Sequence, residues 1–207
     1  RTATKMKNKM SGLLMEVGAT YSKEKLHRRK YFSNLLERVE DVPESVKDML
    51  KLSRSSLEMF DAVQKKLIHT LREDKLIHTR VKRLMSIKGV GEVMALTWVL
   101  ETGDSSRFHS SRQAISYCGL CSAQRESAGK DQRGPISKKR NKHLQTILIE
   151  AAKLAPRWNP QLAAIHEKEL SRGNRNRATL AVARKLVEYM LAVERQQKDF
   201  VPSELAA

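Results

Sequence analysis

The sequence predicts a mainly α-helical fold. A long helical, coiled-coil-like arm is expected over residues 1–80, followed by a compact helical domain over residues 81–201 and a short tail at 202–207. Apolar residues recur every three or four positions through most of the chain, which is the spacing of one helix face. Near residue 81 the long periodic segments give way to shorter ones, separated by glycines and basic loops. A chain of 207 residues fits one or two domains, and no apolar run approaches the ~18–20 residues that cross a membrane.

The arm is predicted to contain three helical stretches, of which the third has the strongest pattern. Pro43 precedes this stretch, and proline is common at helix starts. Its apolar stripe consists of Val46, Met49, Leu50, Leu57, Phe60, Val63, Leu67 and Leu71. The earlier stretches carry Met6, Met10, Leu13, Leu14 and Val17, and then Tyr31, Phe32, Leu35, Leu36 and Val39. The pattern fits a coiled-coil-like arm, with an ordinary helical bundle as the open alternative.

The charge of the chain favours a polyanionic partner. It contains 40 Lys and Arg against 23 Asp and Glu, a formal net charge of +17. Because the neutralisation of phosphates releases counterions, such a chain is attracted to nucleic acid, most strongly at low salt. The alternative is a basic protein with no nucleic-acid role.

A pair of glycines in residues 86–95 resembles the turn of a helix-hairpin-helix element. Gly89 and Gly91 lie between an apolar entry and an apolar helix, and glycines let a backbone bend tightly and approach a phosphate. We therefore expect Gly89 and Gly91 to contact DNA, although a plain turn between helices has the same pattern. A dinucleotide-binding fingerprint is excluded, because the third glycine and the βαβ frame are missing.

The most basic part of the chain runs from residue 122 to 144. Gly129, Gly134 and Pro135 interrupt it and predict a loop or hairpin. Its cations are Arg125, Lys130, Arg133, Lys138, Lys139, Arg140 and Lys142. A second basic loop, between two later helices, carries Arg175 and Arg177. We expect these residues to bind phosphates, which positions nucleic acid without reading its sequence.

The two cysteines, Cys118 and Cys121, do not form a metal site by themselves. A structural zinc site needs four ligands, and His143 and His166 are too distant in sequence to complete a recognisable finger. We therefore predict free thiols and no metal site in this chain.

Ser137 lies in a dense cationic loop, residues 134–141, ahead of a predicted helix. A serine hydroxyl that attacks a phosphodiester needs nearby cations to offset the charge of the transition state, and a group that takes its proton. The loop supplies the cations, but the sequence identifies no base. Because a serine before a helix also serves as an N-cap, both interpretations remain open on residue types alone.

An ordered series of residues gives roughly positions 80–200 a resemblance to a known family. The series runs Gly89-Val90-Gly91, Glu101-Thr102-Gly103-Asp104, Arg107-Phe108, Tyr117-Cys118-Gly119-Leu120, Ser127, Gly129, Gly134, Ile136-Ser137-Lys138, Asn141, Leu144, Ala151-Ala152 and Ala181 through Leu186. It resembles the C-terminal domain of the IS110-type insertion-sequence transposases, which include the Piv-like DNA invertases. The helices before it resemble the connecting coiled-coil region of that family.

The resemblance implies a DNA recombinase that moves or inverts a segment through a covalent serine–DNA intermediate. The family's serine matches Ser137, and Lys138, Arg140 and Arg184 are expected to contact phosphates. Family members also carry a RuvC-like domain whose DEDD acidic residues bind Mg²⁺, and this sequence shows no match to it. We therefore expect no cofactor in this chain, and DNA binding without activity until that domain is supplied. Arg140 and Gln145 also depart from the family pattern, which often has glycine and arginine at these positions.

The resemblance also sets the expected partners and location. DNA is the main expected partner, some family members use a guide RNA, and residues 1–80 would pair between protomers. The expected location is the bacterial cytoplasm, beside the nucleoid and without membrane association. The alternative function is a non-catalytic module that binds DNA or RNA and oligomerises.

Overall fold

The computed structural model describes residues 2–39, 42–127 and 130–202, with backbone only at 124–127, 130–133 and 135. Over these ranges the chain is mainly helical, which confirms the predicted fold class. It divides into two compact units, Arg1–Glu73 and Asp74–Ala207. No helix in the described ranges is both long enough and apolar enough to cross a membrane.

The first unit has three helices and an apolar core of its own. Helix α1 spans Thr2–Glu16, α2 spans Arg29–Arg38 and α3 spans Glu44–Glu73. The core consists of Met10, Leu13, Leu14, Leu26, Phe32, Leu35, Leu50 and Leu57. Because these side chains come from all three helices, the unit removes apolar surface from water without help from the rest of the chain.

Helix α3 buries only part of its apolar stripe, in the first half of the helix. Leu50 and Leu57 are buried, whereas Val63 and Leu67 in the second half are exposed. The reason is length, since α1 has 15 residues and packs along a helix of 30 residues. The stripe predicted from the sequence therefore extends beyond the core of this unit.

The described part of the second unit contains six helices and a β-hairpin. Their bounds are α4 Lys75–Met85, α5 Glu92–Thr102, α6 Ser111–Tyr117, β1 Ser122–Ser127, β2 Lys130–Ile136, α7 Lys142–Leu154, α8 Pro160–Ser171 and α9 Arg175–Gln196, with 3₁₀ turns at Ser105–Arg107 and Ala155–Arg157. Helix α9 packs against α4, α6, α7 and α8. Its side chains Val182, Leu186 and Met190 are fully buried, so this helix forms the centre of the unit.

A buried ion pair joins α4 to α9. The Arg80 guanidinium donates Nη2 to Glu194 Oε2 at 2.5 Å, and its Nε donates to both carboxylate oxygens. The Glu194 side chain is almost fully buried. Since an unpaired carboxylate at this position would be costly, the pair fixes the two helices against each other.

Polar side chains cap most helices of this unit. Asp74, Ser110, Asn141, Asn159 and Asn174 accept hydrogen bonds from the first backbone N–H groups of α4, α6, α7, α8 and α9. Helix α7 is thus capped by Asn141 and not by Ser137, so the N-cap interpretation of Ser137 is wrong.

The basic stretch between α6 and α7 contains an antiparallel hairpin. Ser122 pairs with Ile136 and Ser127 pairs with Lys130, with an irregular register between Ser122 and Gln124. Strand β2 ends at Ile136. Ser137 is therefore the first residue after the hairpin, on the path into α7.

Candidate nucleic-acid interface

The Ser137 hydroxyl lies in a polar turn at the surface. Its oxygen accepts a hydrogen bond from the Lys139 N–H at 3.2 Å, and the hydroxyl lies 3.4 Å from the Lys139 carbonyl. The residue is partly exposed, and both Lys138 and Lys139 are exposed. The hydroxyl is therefore near lysines and outside the apolar interior, as a reaction with DNA requires.

Hydrogen bonds to three successive backbone carbonyls fix the segment to which Ser137 is bonded. The carbonyls of residues 119, 120 and 121 accept hydrogen bonds, in that order, from Gln145 Nε2 at 2.6 Å, Arg184 Nε at 2.8 Å and the Ser137 N–H at 2.9 Å. These donors come from α7, α9 and the residue after β2. The backbone of Ser137 is therefore connected to the interior of the unit, although its hydroxyl is at the surface.

Arg140 is engaged by its own loop. Its Nη1 donates to the Ser137 carbonyl at 3.1 Å, and its aliphatic carbons lie over Gly119, where a Cβ would overlap them. Its Nε is buried and has no hydrogen-bond partner among the described residues. Arg140 therefore stabilises the loop, and only part of its guanidinium is left for a phosphate.

The three lysines of this region are open to solvent. Lys138, Lys139 and Lys142 are exposed, the last in the first turn of α7. A shallow groove of about 520 Å³ lies beside them, lined by Ser116, Tyr117, Lys139, Arg140 and Asn141. The structure thus brings Ser137 together with three of the cations predicted to bind phosphate.

A carboxylate on α5 fixes the start of α7. Asn141 Nδ2 donates to Glu101 Oε2 at 2.6 Å, and His143 Nδ1 lies 2.5 Å from Glu101 Oε1. The Tyr117 hydroxyl donates to the Glu101 carbonyl at 2.8 Å. Hydrogen bonds from Asn141 and then His143 lower the pKa of Glu101 from its ordinary value. The sequence pattern does not predict this cluster. The local signal for it is Asn141, an asparagine directly before a predicted helix.

The two glycines of the α4–α5 turn have different environments. Gly89 has a φ of +101°, and a Cβ built on it would lie 2.6 Å from the Ala155 Cβ. Gly91 is the N-cap of α5, is exposed and would have open space around a Cβ. Gly89 is therefore required for packing against Ala155, and Gly91 is the position of this pair that is open to a phosphate.

The remaining predicted cations differ in their environments. Arg175 is exposed at the start of α9. Arg177 donates Nε to Glu169 at 2.8 Å, and Arg184 holds the Leu120 carbonyl described above. Arg125, Lys130 and Arg133 lie on the hairpin strands, and their side chains are outside the described part of the structure.

The described residues do not fit a metal ion. They contain no group of three or more His, Cys, Asp or Glu side chains with metal-binding geometry, and Glu101 with His143 makes only a pair. Cys118 and Cys121 are free thiols, and burial raises the pKa of Cys118 to about 12. The described residues therefore offer no ligand set for the Mg²⁺ that the resemblance implies.

Part of the chain is similar to a known protein family. Residues 81–167 match the family model described as "Transposase IS116/IS110/IS902 family". This range covers the glycine turn, α5 to α7, the hairpin and Ser137. The segment is therefore similar to the transposase domain of that family, in agreement with the resemblance over these residues.

Individual transposases are similar to the chain over longer stretches. A probable family 20 transposase of Pseudomonas aeruginosa is 26% identical over 162 residues, 76% of this chain and 47% of the relative. The transposase for insertion sequence element IS1111A of Coxiella burnetii is 33% identical over 58% of this chain and 34% of its own length. The transposase for insertion sequence element IS1328 of Yersinia enterocolitica is 25% identical over 95% of this chain and 59% of its own length. The chain thus spans about a third to three fifths of these relatives.

Proposed function

We propose that this chain is part of a DNA transposase, and that Ser137 is the nucleophile that attacks a DNA phosphodiester. The observation that carries the proposal is the position of the hydroxyl. It lies at the surface among Lys138 and Lys139, on a backbone anchored by the Cys121 carbonyl. The match of residues 81–167 to a transposase family supports DNA as the substrate.

The proposed step exchanges one phosphate ester for another. The Ser137 oxygen forms a bond to phosphorus, the bond from phosphorus to a sugar oxygen breaks, and that oxygen leaves with a proton. The hydroxyl proton passes to a base that the described residues do not identify. Lysines beside the hydroxyl would offset the negative charge that grows on the phosphate in the transition state.

The proposal includes a requirement for a second, acidic domain. The described residues hold no carboxylate cluster for a metal ion, and the chain spans only part of its relatives. We propose that the family's metal-binding acidic domain is needed for the reaction. This chain would bind DNA by itself without cleaving it.

A covalent adduct is the direct test of the nucleophile. A transposase that includes this chain and the acidic domain is incubated with labelled DNA, denatured, and analysed for protein-linked label. Ser137→Ala should abolish the adduct and leave DNA binding intact. Ser116→Ala is the matched control, because Ser116 is another exposed serine that lines the neighbouring groove.

A second serine makes the test sharper. Ser127 is the last residue of β1, so Ser127→Ala removes another hydroxyl group of the hairpin. If the adduct persists in Ser137→Ala and disappears in Ser127→Ala, the proposed nucleophile is wrong.

Homo-oligomerisation through the arm is a further part of the proposal, and the exposed stripe of α3 supports it. Leu52, Met59, Val63 and Leu67 are each at least half exposed on this helix, and a paired helix would cover such a stripe. Val63→Lys together with Leu67→Lys should reduce the mass measured by light scattering. A guide RNA is a further proposed partner. The alternative overall role is a non-catalytic binding module, and the adduct assay separates this role from catalysis.

A further inference from the structure

The two tryptophans of the chain have opposite environments. Trp98 in α5 is fully buried, whereas Trp158, between the second 3₁₀ turn and α8, is 56% exposed. Single exposed apolar side chains are common and need no partner on that ground alone. The neighbours of Trp158 therefore decide whether it has a ligand.

The backbone at Trp158 is held rigidly. Its N–H donates to the Ala155 carbonyl at 3.1 Å, and the next residue, Asn159, is buried and caps α8 through the Leu162 N–H. Pro156 and Pro160 flank it in sequence. The backbone that carries the exposed ring is therefore already ordered, so a ligand that stacks on the ring would lose little conformational entropy in ordering this backbone.

The glycine turn lies directly against this corner. Asn159 Nδ2 donates to the Lys88 carbonyl at 3.4 Å, and Gly89 packs on Ala155. Lys88, next to Gly89, and Arg157, next to Trp158, are both exposed. The fold thus brings the backbone of Lys88 to the corner that carries Arg157 and the exposed indole ring, although Lys88 and Arg157 are 69 residues apart.

We propose that Trp158 is a stacking platform for an unpaired base of single-stranded DNA, with Lys88 and Arg157 contacting the flanking phosphates. Stacking on an aromatic ring with cations along the backbone is how proteins hold single strands without sequence preference. Duplex DNA keeps its bases stacked on each other and offers no free base face to the ring. The proposal rests on DNA as the partner of this chain, and it does not depend on the role of Ser137.

Intrinsic fluorescence tests the platform in the chain as it stands. A thymidine oligonucleotide is titrated into the protein while tryptophan emission is recorded, and a duplex of the same length is titrated in parallel. The single strand should quench the emission of Trp158 and leave that of the buried Trp98 unchanged. Trp158→Leu should remove the quenching.

The test is completed by affinities, which are measured from the fluorescence anisotropy of a labelled strand. Trp158→Leu should weaken single-strand binding about tenfold, within the range for loss of one stacked base. Trp158→Phe should lie between that variant and the unsubstituted chain, and duplex affinity should change less than about twofold. Leu170→Ala is the matched control, since Leu170 is an exposed apolar residue at the other end of α8, and it should change neither affinity.

Three results would overturn the platform. The first is that a folded Trp158→Leu protein binds single-stranded DNA with unchanged affinity. The second is that this variant loses affinity equally for single strand and duplex. The third is that Trp158 stacks on an RNA strand but not on DNA. Duplex binding that persists in any of these cases leaves the proposed function standing. A chain that binds neither form of DNA would count against both proposals.

Discussion

The side-chain amide of Asn141 lies 2.6 Å from the Glu101 carboxylate, and this hydrogen bond joins the start of α7 to the end of α5. The same asparagine caps α7 through the N–H groups of His143 and Leu144. The cationic loop that contains Ser137 ends at Asn141. The position of the loop therefore depends on a carboxylate 40 residues earlier in the chain.

The Glu101 cluster should make the stability of the second unit depend on pH. Hydrogen bonds from Asn141 and His143 hold the pKa of Glu101 below its ordinary value of 4.5. A carboxyl group whose pKa is lower in the folded state stabilises the fold above the unfolded pKa, and this stability is lost as pH falls through the folded pKa. Glu101→Gln should lower the free energy of unfolding near neutral pH by about 1–2 kcal/mol, and urea denaturation would measure it.

In Glu101→Gln, the free energy of unfolding should also fall less steeply below about pH 4.5 than in the unsubstituted chain. Glu150→Gln is the matched control, because Glu150 pairs with Lys153 on the exposed face of α7, where an ion pair contributes little. If the acid profile of Glu101→Gln coincides with that of the unsubstituted chain, the cluster does not stabilise the fold.

The two glycines of the α4–α5 turn should respond differently to substitution. Gly89→Ala forces a Cβ against Ala155 at a φ of +101°, so it should cost about 2–3 kcal/mol of stability. Gly91→Ser adds a capping side chain in open space and should leave stability within about 0.5 kcal/mol. Thermal unfolding distinguishes them. Equal losses of stability in Gly89→Ala and Gly91→Ser would contradict the packing role of Gly89.

The three exposed lysines near Ser137 should determine the salt dependence of DNA binding. Lys138, Lys139 and Lys142 are exposed, and each phosphate contact adds about one to the slope of log affinity against log salt. Replacing each with Gln should reduce that slope by about one and weaken binding similarly for any DNA sequence. Lys65→Gln, on the exposed part of α3, is the control. A slope that stays constant through the triple variant would exclude this surface as the phosphate site.

Arg175 and Arg184 should give opposite results, although both were predicted to bind phosphate. Arg184 donates to the Leu120 carbonyl, so Arg184→Gln should cost about 1–3 kcal/mol in urea denaturation by leaving that carbonyl unpaired. Arg175 is exposed, so Arg175→Gln should leave stability unchanged and reduce the salt slope of DNA binding. Full stability in Arg184→Gln would show that the contact with Leu120 is dispensable.

The sequence predicted features that depend on local pattern. Apolar spacing predicted the helices, and Pro43 marked the start of α3. The interactions that set the site are not local. Glu101 meets Asn141 across 40 residues and Arg184 meets Leu120 across 64, and nothing in either segment identifies its partner.

The sequence also does not show which cations stabilise the fold and which are free to bind phosphate. Arg140 and Lys138 are neighbours in one basic loop, yet Arg140 bonds to the Ser137 carbonyl while Lys138 is exposed to solvent. A guanidinium can satisfy its donors on backbone carbonyls inside a fold as well as on phosphates. The difference follows from packing, because the carbons of Arg140 fill the space left by Gly119.

The row of carbonyls at residues 119–121 has a mechanical consequence for any reaction at Ser137. Each carbonyl is held by a donor from a different part of the unit, so the segment to which the Ser137 N–H is bonded is fixed against both α7 and α9. The Ser137 oxygen is thereby carried on a stiff support. If Ser137 is the nucleophile proposed above, the DNA strand rather than the protein would have to adjust its shape for the reaction.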